Sequence, residues 1–122
     1  MEKKSDGRRV QDHFVDHRAR HGHVVFTLDG DNIRSGLGRD LGFAPPERTE
    51  NIRRIAEVCK LFNDAGVLAV TAFMSPCRAA RAMARAIIGP ARFMETHVAT
   101  SMEVCEQRDP KGLYRMARFR HP

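Results

Sequence analysis

The sequence has 122 residues, 42% of them apolar, which is one small domain's worth of material and excludes two full domains. The longest apolar run, Val67 to Met74 with one Thr inside, is far short of the roughly 20 residues a membrane span needs. The balance of 21 Lys and Arg against 15 Asp and Glu gives a formal charge of +6, mostly as Arg forks suited to phosphate and sulfate, while no Trp and a single Tyr disfavour single-stranded nucleic acid as the partner.

Residues 1–22 are charged and His-rich, with Val10, Phe14, Val15 and Ala19 as scattered apolar side chains, and read as a polar arm or weak helix preceding a domain over 23–122. From His23 the texture changes. Val24 to Leu28 is a continuous β-branched and apolar run stopped by Asp29-Gly30-Asp31, a pattern that predicts a buried strand of a parallel sheet. Asp31 is a candidate cap for a short helix, and Gly36, Gly38 and Gly42 punctuate a loop that continues to Pro45-Pro46. Ile52, Ile55, Ala56, Cys59, Phe62 and Ala65 then recur at helical spacing until Gly66 stops the helix.

Val67 to Met74 is a second buried strand, and Ser75-Pro76 reads as a cap with proline at the first helical position of a helix to about Ile88. Phe93 to Val98 predicts a third, weaker strand. Ser101 starts a short helix to about Gln107, and Asp109-Pro110 opens another near Lys111 to Ala117. Strand and helix in alternation imply an α/β domain with a parallel sheet and right-handed crossovers. The polar N-terminus has no apolar signal stretch, and Cys59, Cys77 and Cys105 are odd in number and never in a Cys-x-x-Cys pair. Three reduced thiols in a soluble, cytoplasmic protein are expected.

Ligands of open parallel sheets bind beyond the carboxyl ends of the strands, where Asp29, Asp31 and Ser75 fall. Two carboxylates there can hold Mg²⁺ or accept a hydroxyl proton, and Arg34 one turn on can neutralise a phosphate; the alternative is a plain turn and cap. Arg48 and Asn51 share neighbouring turns at a helix start, a favourable place for an anion, whereas Arg53 and Arg54 read as a solvated face. His13, His17 and His21 are four apart, so a helix would align three imidazoles able to bind a divalent metal; the alternative is a polar arm. Ser75 has no local base and serves as a cap, and Cys77 beside it is placed for a lowered pKa.

Five segments in order, Leu28-Asp29-Gly30-Asp31-Asn32-Ile33-Arg34, Arg39-Asp40-Leu41-Gly42-Phe43, Arg48 with Glu50 to Val58, Phe73-Met74-Ser75-Pro76 with Arg78, and Val104 to Tyr114, resemble the adenylyl-sulfate kinase family from about His23 to Ala117. The resemblance implies a P-loop nucleoside-kinase fold, a parallel sheet with flanking helices. It also implies ATP-dependent 3′-phosphorylation of adenosine 5′-phosphosulfate to 3′-phosphoadenylyl sulfate in sulfate assimilation, with Mg²⁺.

By motif, Asp29 and Asp31 match the acidic pair near metal and attacking hydroxyl, with Asp31 the candidate base. Arg34, Arg48 and Asn51 match residues that hold the sulfate and phosphate, and Phe43 an aromatic that stacks on adenine. Met74 and Ser75 match substrate contacts, Ser75 also a position recorded in the family as a phosphoserine intermediate. Arg108 matches an adenine-side ATP contact, and Lys111, Gly112 and Leu113 the start of a mobile lid. The sequence departs from the family in having no Gly-Lys dipeptide, hence no Gly-x-x-x-x-Gly-Lys-Ser/Thr phosphate loop, and in stopping within the lid. It therefore reads as a shortened member, incomplete at both ends, with a homodimer or a chain supplying the phosphate loop as expected partners and a catalytically dead remnant or regulatory binding module as the alternative.

Overall fold

Two strands, β1 (Val25–Asp29) and β2 (Leu68–Ala72), lie side by side in parallel, with Thr27 opposite Val70 and Asp29 opposite Ala72. The structure, a computed structural model, describes residues 6–120. Parallel neighbours need a long crossover. Here α2 (Gly30–Arg34), an irregular loop over 35–44 and α3 (Pro45–Asp64) supply it. Pro45 and Pro46 occupy the opening positions of α3, where a missing N–H costs nothing, and Glu47 reaches back to accept hydrogen bonds from the Gly42 and Ala44 amides at 3.0 and 3.2 Å. Gly66, at φ +80°, turns the chain into β2.

The core is small. Leu28, Ile33, Ile55 and Cys59 are buried together, with Val58, Phe62, Ala69, Phe73 and Ile88 packed around them. The buried residues Ala56, Ala80 and Ala84 bring α4 (Arg78–Ile88) close to α3. Burial of Cys59 pushes its thiol up to about 11, so it stays protonated at neutral pH.

Of three sequence expectations, one left open is decided and two need correction. The segment read as a polar arm or weak helix contains a 15-residue helix, α1 (Asp6–Arg20), docked on the sheet: Gln11 is 5% exposed and its Nε2 donates to the Val70 carbonyl at 3.1 Å. The first five residues of that arm, and His121 and Pro122, lie outside the described residues. The strand expected over Phe93 to Val98 does not form. After a 3₁₀ turn over Pro90–Arg92 this segment runs without strand pairing, and the sheet of the described residues has two strands. Strand-forming residues need a backbone partner, which a local pattern does not guarantee.

Third, Ser75 does not cap α4; Cys77 holds the N-cap position and the helix begins at Arg78. Farther on, Ser101 caps α5 (Met102–Arg108) through a 3.4 Å bond from the Val104 amide. Asp109 accepts from the Tyr114 and Arg115 amides at 3.2 Å each, which starts α6 (Leu113–Arg120) slightly later than the pattern suggested.

Candidate functional site

β1 ends on Asp29, whose extended backbone makes it the N-cap of α2. Its Oδ1 accepts from the Asn32 amide at 2.9 Å, and Asn32 Oδ1 accepts the Asp29 amide at 3.1 Å, a reciprocal capping box. Asp31, expected as the cap, instead stands exposed in the first turn with its carboxylate free of this box. The second Asp29 oxygen accepts from Arg8 Nη2 of α1 at 3.0 Å. Nothing in the sequence announced Arg8, because the pair is 21 residues apart.

Asp29, Gly30 and Asp31 face a cleft of about 1560 Å³. Met74, Ser75 and Pro76, just past the end of β2, line it too, as do α1, residues 93–98 and Lys111. Asp29, Asp31, Met74, Ser75 and Lys111 therefore share one opening at the carboxyl end of the sheet, while Arg34, Phe43, Arg48, Asn51, Arg108, Gly112 and Leu113 lie outside its lining. Ser75 Oγ donates to the Phe73 carbonyl at 3.3 Å. Arg81 holds the turn by donating to the Ser75 and Pro76 carbonyls at 2.7 and 3.1 Å and pairs with Glu95 at 2.8 Å. The exposed Cys77 thiol is lowered by the Ala80 and Ala79 amides at the start of α4.

A second group surrounds the 35–44 loop. The Arg34 guanidinium lies over the Phe43 ring, 4.1 Å from its centroid, and donates to the Leu41 and Gly42 carbonyls at 3.4 and 3.0 Å. Phe43 is 67% exposed. Asn51, on α3, is 6% exposed and its Oδ1 is buried without a hydrogen-bond partner, directly beneath Gly38. Arg48 projects as an exposed residue one turn before it, and Ile52, next to Asn51, lines the cleft. Arg54, read from sequence as part of a solvated face, is instead tied into this loop, whereas Arg53 is exposed and pairs with Glu50 at 2.8 Å.

Magnesium is characteristically held by one or two carboxylates plus phosphate oxygens. Asp31 fits that role, with a free hard-oxygen donor at the mouth of the cleft, while both oxygens of Asp29 are already accepting. No group of three metal-ligating side chains stands together among the described residues. Of the three histidines weighed as a stripe, His17 and His21 have ring centroids 4.5 Å apart, with His21 Nδ1 2.7 Å from the His17 carbonyl oxygen. No helix among the described residues is long and apolar enough to cross a membrane.

This arrangement has relatives. Residues 7–120 match the family model for adenylylsulphate kinase. The chain is 57% identical over 99 residues to the adenylyl-sulfate kinase of Shewanella amazonensis, covering 81% of this chain and 50% of the relative. It is 55% identical over 97 residues to that of Vibrio cholerae, covering 80% and 45%. It thus spans about half the length of the curated relatives it matches. Among solved structures, the Mycobacterium tuberculosis APS kinase in complex with AMPPNP and APS superposes with a TM-score of 0.83 at 39% identity, over 95% of this chain and 69% of that one. With the family match extending from α1 through α6 and the same fold recovered in three dimensions, the chain belongs to the adenylyl-sulfate kinase family.

Proposed function

We propose that this chain binds adenosine 5′-phosphosulfate between the 35–44 loop and the carboxyl ends of β1 and β2, and presents its 3′-hydroxyl for phosphorylation by ATP. The observation that carries this reading is the Asp31 carboxylate, free of the capping box and lining the cleft at the carboxyl ends of the strands, with the Arg34–Phe43 stack on the 35–44 loop that follows α2. In the reaction the 3′-oxygen attacks the γ-phosphorus of ATP, the bond from that phosphorus to the bridging oxygen breaks, and ADP leaves. Asp31 takes the hydroxyl proton, needing only reach and an ionised carboxylate. Asp29 serves it indirectly, by fixing the turn from which Asp31 projects.

Arg48 and Arg34 supply fork geometry for the sulfate and phosphate oxygens. Asn51, covered by Gly38, backs the loop from beneath, and the open face of Phe43 stacks on adenine. Met74 and the Ser75 backbone shape the floor. In this reading Ser75 is a contact rather than a nucleophile, since direct in-line transfer requires positioning and charge stabilisation alone. Lys111, Gly112 and Leu113 close over the substrate, and Arg108 contacts the ATP adenine. Mg²⁺ entering with ATP would be held by Asp31 and, when bound, neutralises phosphate charge. Such a protein acts in sulfate assimilation in the cytoplasm, where its co-substrate ATP is.

The 122 residues contain no Gly-Lys dipeptide. This favours, as second reading, a chain that by itself binds the substrate without turning it over and acquires a phosphate cradle from another chain. Calorimetric titration with adenosine 5′-phosphosulfate separates binding from turnover. Saturable binding, weakened by Arg48→Ala and retained in Asp31→Ala, is expected. Failure of the folded wild type to bind would overturn the assignment. ATP-dependent product formation abolished by Asp31→Ala would select the first reading over the second.

A further inference from the structure

We propose that Arg54 is a positioning residue for base recognition: through Asp40 and the Leu37 carbonyl it holds the loop that presents Phe43 to the ligand. The inference rests on the substrate reading above. The 35–44 loop has no regular structure and contains Gly36, Gly38 and Gly42, so its shape depends on outside contacts. Arg54 provides them from the third turn of α3. Its Nη1 donates to Asp40 Oδ1 at 2.6 Å and to the Leu37 carbonyl at 2.9 Å, and its Nη2 donates to Asp40 Oδ2 at 3.0 Å. Glu50 Oε1 accepts from Nε at 3.1 Å, which turns the fork toward the loop.

Every guanidinium nitrogen is therefore engaged, and the bidentate geometry on Asp40 distinguishes this contact from a simple surface pair. The Arg54 side chain is 25% exposed against 60% for Asp40, so the anchor sits in the scaffold and the loop residue comes to it. The opposite flank is held by Arg34 on the Leu41 and Gly42 carbonyls and by Glu47 on the Gly42 amide. Phe43 follows directly on the second hold, with Arg34 over one face of its ring and most of its surface open. A loop already fixed in this form has less freedom to lose when adenine stacks.

The clamp is tested by binding and by amide exchange together. Gly38, Arg39 and Leu41 donate their amides to the Ile33, Gly36 and Gly38 carbonyls, so their exchange reports the loop directly. In Arg54→Ala and in Asp40→Asn we expect affinity for adenosine 5′-phosphosulfate to fall about tenfold. Exchange at these three amides should accelerate while exchange in α4 stays at its wild-type rate. The double variant should be no weaker than Arg54→Ala, and Arg54→Lys, which keeps the charge but loses the fork, should be intermediate. Wild-type affinity in Arg54→Ala, or faster exchange throughout α4 as well as the loop, would overturn the proposal while leaving the substrate reading intact. A wild type that does not bind at all would remove both.

Discussion

Gly38 has no room for a side chain. A Cβ built there would lie 2.5 Å from Asn51 Oδ1 and 3.6 Å from its Cγ. Asn51 is 6% exposed, so it has little space in which to yield. Gly42 meets a similar contact, 2.7 Å from Glu47 Oε2, but there the obstacle is the end of a longer side chain with more freedom to swing. Gly38→Ala should therefore push the 35–44 loop off Asn51, destabilising the fold by about 1–3 kcal/mol through overpacking. Thermal unfolding and calorimetric titration check it: substrate binding should weaken in a variant that still unfolds cooperatively. Retained affinity would show that the seat of the loop on Asn51 does not shape the substrate site. The sequence placed Gly38 in a loop and Asn51 at a helix start, yet their contact crosses 13 positions and no local pattern encodes it.

At the scale of elements, what could be read in advance was whatever is set by neighbours along the chain. Val24 to Leu28 and Val67 to Met74 announced two strands through their continuous apolar runs, and the Pro45-Pro46 start of α3 through proline chemistry. Phe93 to Val98, a weaker pattern interrupted by Glu95, Thr96 and His97, does not form a strand, because pairing depends on a partner elsewhere. That Asp29, Asp31 and Ser75 would line a cleft was legible because such sheets open at their strand ends, whereas Met74 was singled out only through the family resemblance. Arg8, Arg54 and Arg81 were not, since an Arg on a helix face looks the same whether it meets water or a distant carbonyl.

The α3 network also sets a pH dependence. Hydrogen bonds from Arg53 and Arg54 hold the Glu50 carboxyl well below its ordinary value of 4.5, at about 2. A carboxyl depressed in the folded state stabilises above its unfolded pKa and loses that contribution as pH falls through the folded one. The thermal midpoint of wild type should thus exceed that of Glu50→Gln by a constant margin above about pH 5, with the gap closing between about pH 4.5 and pH 2. A margin independent of pH across that window would show that the ion pairs contribute nothing to the fold. Because both partners are near the surface, the margin should also shrink with added salt.

Over the whole molecule, ligand and fold are coupled by the thinness of the core. Among the described residues no large side chain is fully buried, and the sheet has two strands. Two strands are marginal without help, and here α1, α3 and α4 give it. The proposed ligand would touch the carboxyl ends of both strands, the 35–44 loop and the residues opening α6, so it would bridge elements that are otherwise joined by few buried contacts. A ligand that binds only the folded state adds about 2.7 kcal/mol at one hundred times its dissociation constant. For a domain of this size that corresponds to a rise in thermal midpoint of about 10 °C. Scanning calorimetry with adenosine 5′-phosphosulfate at that concentration should show the rise in wild type. Arg48→Ala, scanned at the same ligand concentration, should rise less. No shift at a concentration that titration shows to be saturating would mean that the ligand does not select the folded chain, and the bridging role would be wrong.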